Sequence, residues 1–295
     1  MKKSIPTKII NSAERQQTVA IIGMGLIGGS LALALKTHGL ATTVLGVEAD
    51  DIHAKKALEC KLVDQIVDLE TAMLQAAVII LAIPVNAAEK LLPVILDACQ
   101  DHIILDVGST KAAICNVAIG HNKGSHFVAT HPMWGTEFSG PEAAQQGAFA
   151  GKAVVICSED FSSSSAVAWV ENMYTTLGMH LLYMSATSHD LHAAYISHIS
   201  HITSFALANT VLEKEKEDEA IFEMASGGFE STVRLAKSNP AMWVPIFMEN
   251  KENVLDVLNE HIAQLKKFKS CLEKENVVYL KELMENANKI TRILK

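Results

Sequence analysis

The sequence predicts an α/β chain in two parts: a doubly wound, mostly parallel sheet, then an all-helical half. Three observations carry that expectation. Short β-branched runs alternate with helix-period segments up to about residue 184. A glycine-rich turn directly follows the first of these runs. Beyond about Ser185 no convincing strand pattern occurs and the chain reads as helices. Alternation of this kind builds βαβ units, whose strands pair in parallel between two layers of helices. The expected division is 1–184 and 185–295.

Taken in order, Thr18–Ile22 is an apolar run that ends at Gly23, and Thr43–Val47 is the next. Ala77–Ile83 and Ile103–Val107 follow, then Val128–His131, Ala153–Cys157 and Met179–Tyr183. Ile27–Lys36 and Ala87–Leu96 carry helical periodicity between them, and Ser162–Ser165 reads as a helix start rather than a linker. In the second half His189–Leu212 is one long helical candidate, and Asn239-Pro240 marks a break with a new helix start. From Val254 the apolar residues Val257, Leu258, Ile262, Leu265, Phe268 and Leu272 recur at three- and four-residue steps. Such a stripe needs a partner surface, in its own domain or in a second subunit.

Composition bounds the function. A chain of 295 residues is long enough for two apolar cores, and 49% hydrophobic with 20% charged residues is an ordinary globular balance. A formal net charge of −8 argues against a nucleic-acid partner, which needs a basic face to displace counterions. The five cysteines are scattered, without C-x-x-C spacing, which favours a reducing compartment over disulfides or zinc. The start MKKSIPTKII runs into polar residues rather than an apolar core, so it does not read as a signal peptide. The most apolar stretch, Ala76–Val85, is about ten residues and too short to span a bilayer. The expectation is a cytoplasmic protein with neither membrane nor nucleic-acid partner.

The glycine turn is Gly23-Met24-Gly25-Leu26-Ile27-Gly28, a G-x-G-x-x-G between a strand run and a helix run. Its first glycine permits the tight turn, and its second lets a pyrophosphate approach the backbone. The third lets helix and strand pack closely, and the helix N-terminus faces the phosphates. Glu48 closes the second strand run twenty residues past Gly28, where a carboxylate grips ribose hydroxyls. Together these predict a Rossmann-type dinucleotide site formed by Gly23, Gly25, Leu26, Ile27, Gly28 and Glu48. Ala49 and Asp50 supply no cation for a 2′-phosphate, which favours NAD over NADP.

Later strand ends carry polar clusters, where doubly wound sheets place their ligands. One is Asp106-Val107-Gly108-Ser109-Thr110-Lys111, and another runs Thr130-His131-Pro132-Met133-Trp134-Gly135-Thr136-Glu137 and on to Gly140. The helical half adds Ser197-His198-Ile199-Ser200-His201, then Gly227-Gly228-Phe229 with Arg234, then Met242-Trp243 with Glu249-Asn250. Residue types alone leave His131 as a strand-end histidine, structural or basic. Arg234 is either a carboxylate clamp or half of a surface ion pair. Lys111 is either electrostatically useful or exposed on a first helical turn. The histidines at 189, 192, 198 and 201 lack the carboxylate support and spacing of a metal site, so no metal is expected.

In this order, over about residues 18–275, the segments resemble the prephenate dehydrogenase family, which includes arogenate dehydrogenases. The resemblance implies NAD-dependent oxidative decarboxylation of prephenate to 4-hydroxyphenylpyruvate in tyrosine biosynthesis. It implies His131 as the base and Ser109 as its hydrogen-bonding partner or that of the substrate hydroxyl. It places Arg234, His201, Thr136, Glu137 and Trp243 around the substrate, with His198 three residues before His201 as a core alternative. It also implies a homodimer through the helical half. The chain departs from the pattern at Glu230-Ser231, where many relatives carry Arg-Asp, and at Trp134, where they often carry a smaller residue. Both departures bear on the choice between prephenate and arogenate. Rival readings are another two-domain nicotinamide enzyme acting on a hydroxy acid or imine, and a non-catalytic NAD-binding protein.

Overall fold

Thr18–Ile22 forms strand β1 with all five residues buried, and its alternate side chains feed two separate cores. Val19 and Ile21 face one layer of helices, while Ala20 and Ile22 face the other. A strand buried on both faces has no polar side to show, hence its continuous apolar run. The computed structural model describes residues 15, 17–157, 160–216, 221 and 223–293. The segment MKKSIPTKII, read for signal-peptide character, lies outside them.

The chain forms two compact units, Met1–Asn250 and Lys251–Lys295. In the first, β1 is followed by α1 (Leu26–Thr37), β2 (Thr43–Val47), α2 (Asp51–Glu59) and β3 (Gln65–Ile66). Then come α3 (Leu69–Gln75), β4 (Val78–Leu81), α4 (Val85–Ala98), β5 (Ile103–Asp106) and α5 (Ala112–Ile119). Strands β6 (Phe127–Pro132) and β7 (Ala153–Ile156), helix α6 (Ser164–Thr176) and strand β8 (His180–Tyr183) complete the sheet layers. The strand order is β3-β2-β1-β4-β5-β6-β7-β8. Strand order reverses between β1 and β4, and the crevice at their carboxyl ends is where such sheets bind ligands.

Two details differ from the sequence expectation. Strand β3 was not anticipated, because two residues carry no readable periodicity. Strand β7 runs antiparallel to β6, pairing Thr130 with Ile156 and His131 with Val155, within the mostly parallel sheet expected. The long candidate His189–Leu212 is not one regular helix. Helix α7 (Ala186–Ala193) passes through a π-helical turn, Ala194–His198, into α8 (Ile199–Glu215). At about 100° per residue, nine steps would set His189 and His198 on opposite faces of a regular helix. The wider turn reduces that rotation, and both histidines are buried.

Helix α9 (Gly227–Val233) and helix α10 (Pro240–Glu249) finish the first unit. The start of α10 follows the expected chemistry, with Pro240 in its first turn and the Asn239 side chain accepting from the Ala241 N–H at 2.9 Å. Ser163 likewise caps α6. The second unit holds α11 (Lys251–Glu273) and α12 (Val277–Ala287). On α11, Ile262, Leu265 and Leu272 of the apolar stripe stand exposed. Among the described residues no helix is long and apolar enough to cross a membrane.

Candidate active site

The glycine turn at the β1–α1 junction is closed at two glycines and open at the third. Gly23 has φ +97°, and a Cβ there would lie 2.5 Å from the Ala82 carbonyl oxygen. A Cβ on Gly28 would fall 2.0 Å from the Gly23 carbonyl oxygen, so only glycine lets α1 start against β1. Gly25 has no atom within 4 Å of its would-be Cβ and no side chain caps the helix it begins. That opening, at a helix N-terminus flanked by the partly exposed Leu26 and Ile27, suits an anionic group. Glu48 is tied to the same loop. Its Oε2 accepts from the Met24 N–H at 2.8 Å and its Oε1 from the Asp50 N–H at 3.1 Å. Each oxygen keeps a lone pair for a ribose hydroxyl.

Beside this loop, the ends of β5 and β6 are locked by a buried ion pair. Lys111 is fully buried, which overturns the reading of an exposed first-turn lysine: its Nζ pairs with the Asp106 carboxylate. The same Nζ donates to the Thr130 carbonyl at 2.8 Å. Asp106 also accepts from the Gly108 N–H at 2.9 Å and the Thr130 N–H at 3.2 Å.

His131, at the end of β6, lies partly buried with its Nδ1 2.8 Å from Nε2 of His189. His189 Nδ1 is in turn 2.8 Å from Asp190 Oδ1. The Asp190 carboxylate accepts from the backbone N–H groups of Lys111 (2.7 Å) and Ala112 (2.9 Å), so a side chain of α7 caps α5. Ser109 does not cap α5, whose N-cap position is held by Lys111. Among the described residues no hydrogen bond joins Ser109 to His131. Asn250 donates to the Asp190 carbonyl at 2.6 Å and lies 3.2 Å from His198 Nδ1. Thr110, next to Ser109, donates to Glu249 Oε2 at 2.6 Å.

Electrostatics favours a neutral imidazole at His131. Burial comes first, then the nearby His189, Lys111 and His198, and together they hold its pKa well below the usual value of 6.5. Burial raises the Asp190 carboxyl, but hydrogen bonds from His189 and the two backbone N–H groups outweigh it and keep it below its ordinary value. Burial brings His198 down to about 4. His201 is lowered by burial too, and further by the Arg234 charge.

Two contacts place the helical residues named for the substrate. His201 stacks on Trp243 with ring centroids 3.4 Å apart and planes 26° from parallel, and its Nδ1 lies 3.0 Å from the Ser197 carbonyl. Arg234 Nη1 donates to Glu137 Oε2 at 2.8 Å. Glu230, which replaces the expected arginine, is exposed and 3.7 Å from Lys237. Thr136 Oγ1 accepts from the Phe138 N–H at 3.3 Å, in the loop that carries Glu137. Trp134 packs edge-on against Phe149.

The sequence reading missed the His189–Asp190 pair. His189 drew notice only as one of four spaced histidines, and the adjacent His-Asp was the available signal. Among the described residues no group of three or more His, Cys, Asp or Glu is arranged to hold a metal.

Known proteins can be set beside this geometry. A family model described as prephenate dehydrogenase, nucleotide-binding domain, matches residues 31–183, and one described as prephenate dehydrogenase, dimerization domain, matches residues 185–286. The prephenate dehydrogenase of Bacillus subtilis is 31% identical over 267 residues, covering 89% of this chain and 72% of that protein. The cyclohexadienyl dehydrogenase of Zymomonas mobilis is 30% identical, covering 94% and 96%. A crystal structure of prephenate dehydrogenase from Aquifex aeolicus, in complex with hydroxyphenyl propionate and NAD+, superposes with a TM-score of 0.84 at 28% identity, covering 94% and 98%.

Proposed function

We propose a reaction for this chain on the premise that it belongs to the prephenate dehydrogenase family. The enzyme is an NAD-dependent oxidoreductase that converts prephenate to 4-hydroxyphenylpyruvate and carbon dioxide. Bound at the glycine turn, NAD would supply the acceptor for the hydride from C4 of the cyclohexadienol ring. The open Gly25 turn and the Glu48 carboxylate are residues of this chain that fit the dinucleotide.

In the proposed mechanism, His131 takes the C4 hydroxyl proton at Nε2 as the hydride departs. The electron pair of the breaking bond to the ring carboxylate then completes the aromatic ring, carbon dioxide leaves, and the phenolate oxygen at C4 takes the proton back from His131. The observation that carries this role is the 2.8 Å contact of His131 Nδ1 with His189 Nε2, which turns the other ring nitrogen to the proton, and burial, which lowers the His131 pKa, favours the neutral base. Arg234 clamps a substrate carboxylate, and His201 on its Trp243 platform lines the ring side with Thr136 and Glu137 at the rim. Ser109 sits in the bend between β5 and α5 and binds the substrate hydroxyl.

The proposed domains are 1–184 for the dinucleotide and 185–295 for substrate and dimerisation. A homodimer is part of the proposal, supported by the dimerization-domain match and by the exposed Ile262, Leu265 and Leu272. Cytoplasmic location is proposed from cysteine usage, with all five as free thiols.

The test is NADH formation with prephenate and with arogenate, each with NAD and with NADP. The expected result is turnover with prephenate and NAD. Turnover of arogenate alone would move the substrate assignment, and no reduction with either substrate would overturn the reading.

A further inference from the structure

We propose that His189, anchored by Asp190, is a positioning residue that holds His131 in a single tautomer, with the proton on Nδ1 and the lone pair on Nε2. The inference rests on the reading of His131 as the base and adds how its basic nitrogen is kept available.

The argument follows donors and acceptors along one chain. An ionised carboxylate only accepts hydrogen bonds. Asp190 accepts two from backbone N–H groups, at 2.7 and 2.9 Å, and so is held in place by the start of α5. Its Oδ1 lies 2.8 Å from His189 Nδ1, and that nitrogen must donate. A neutral imidazole has one N–H, which leaves His189 Nε2 as an acceptor. His131 Nδ1, 2.8 Å away, is then the donor, and its own single N–H is spent there. The nitrogen left without a proton is Nε2, the one proposed to receive the substrate's. Without this chain a histidine drifts toward the Nε2–H tautomer, in which the basic position is occupied.

Burial makes the arrangement rigid. His189 and Asp190 are 3% and 4% exposed, so water does not compete for either bond. The anchor also binds α7 of the helical half to the loop containing Ser109 and Lys111, so base and loop are registered by one carboxylate.

The test compares His189→Leu, which removes the acceptor, with His189→Gln, whose amide oxygen can still accept from His131 Nδ1–H. Imidazole 15N NMR of the full-length enzyme reads the tautomer, with the His131 signals identified by their loss in His131→Asn. The wild type is expected to show Nδ1–H at His131, retained in Gln and shifted toward Nε2–H in Leu. With prephenate, kcat is expected to fall about 10- to 100-fold in the Leu variant, as when a ligand's hydrogen-bonding support is removed elsewhere. KM for prephenate and Kd for NAD should stay within about threefold of wild type, and Gln should recover most of kcat. An Nε2–H signal at His131 in the wild type would overturn the proposal, as would unchanged kcat in the Leu variant. If the Leu variant does not fold, the wild-type spectrum and the Gln variant still decide. The spectrum needs no substrate, so it judges the tautomer even if prephenate proves not to be turned over.

Discussion

Arg234 Nη1 lies 2.8 Å from Glu137 Oε2, joining a turn of the helical half to the loop after β6. The guanidinium side chain is half exposed, whereas that of Glu137 is largely covered. The cation proposed for the substrate is thus paired before substrate arrives, and an incoming carboxylate must share or displace Glu137. Arg234→Ala is expected to raise KM for prephenate about 10- to 100-fold with a smaller change in kcat, as for loss of a charge-assisted bond. Glu137→Gln is expected to lower KM, by up to about fivefold, because it removes a partly solvated competitor. Steady-state kinetics on both variants checks the pair, and a raised KM in the glutamine variant would show Glu137 helping rather than competing.

The glycine turn yields two opposite expectations from one chemical change. Gly25→Ala meets nothing within 4 Å in the protein and should leave Tm within about 2 °C, near the size of an ordinary surface change. Its methyl group would sit where pyrophosphate must approach, so NAD affinity should fall at least about tenfold. Gly28→Ala would press on the Gly23 carbonyl and should lower Tm itself. Thermal unfolding and NAD titration separate the two.

Lys111 offers a stability test that spares every group proposed to touch the substrate. Lys111→Met leaves Asp106 buried without its cation, and breaking such a pair costs about 3–5 kcal/mol. Chemical denaturation should show a loss of that order. A loss below about 1 kcal/mol would mean that the backbone N–H groups of Gly108 and Thr130 suffice for Asp106.

How legible this was depends on the range of the forces involved. Periodicity and glycine placement act locally, so β1, α1, the Gly23–Gly28 turn and the start of α10 could be read directly from Thr18–Gly28 and Asn239-Pro240. Glu48 was legible because one βαβ unit fixes its distance from the turn. The ties of His189 to His131 and of Asp190 to Lys111 span 58 and 79 residues of sequence. No local pattern encodes them. The π-turn at Ala194–His198 was hidden for the same reason, since its apolar and polar spacing passes for a regular helix. Residue type leaves Lys111 open between an electrostatic and an exposed position, because lysine is fully buried only with a partner and nothing local marks Asp106, five residues earlier, as that partner.

Several histidines give the pH dependence a definite sign. His131, His198, His201 and His102 all have pKa values lowered by burial, His198 to about 4. The unfolded chain therefore binds more protons below about pH 6.5, and stability falls with pH from there toward about 4. Glu249, whose carboxyl is raised by burial, works in the opposite direction over the upper part of that window, but it is one group against four. Tm should be level from pH 8 to 7 and decline below 6.5. For catalysis, the base form of His131 in the free enzyme persists to lower pH than an ordinary histidine's, so kcat/KM should show no acid limb near pH 6.5. An acid limb centred at or above pH 6.5 would contradict the lowered basicity.

The most direct measurement is the initial rate of NADH formation from prephenate by the wild-type enzyme and by His131→Asn, with Kd for NAD measured on both. Wild type should form one NADH for each 4-hydroxyphenylpyruvate. The variant should bind NAD equally well and lose at least about 100-fold in kcat, the usual contribution of a positioned base. Wild-type turnover in the variant would contradict the assignment of His131 as the group that takes the proton.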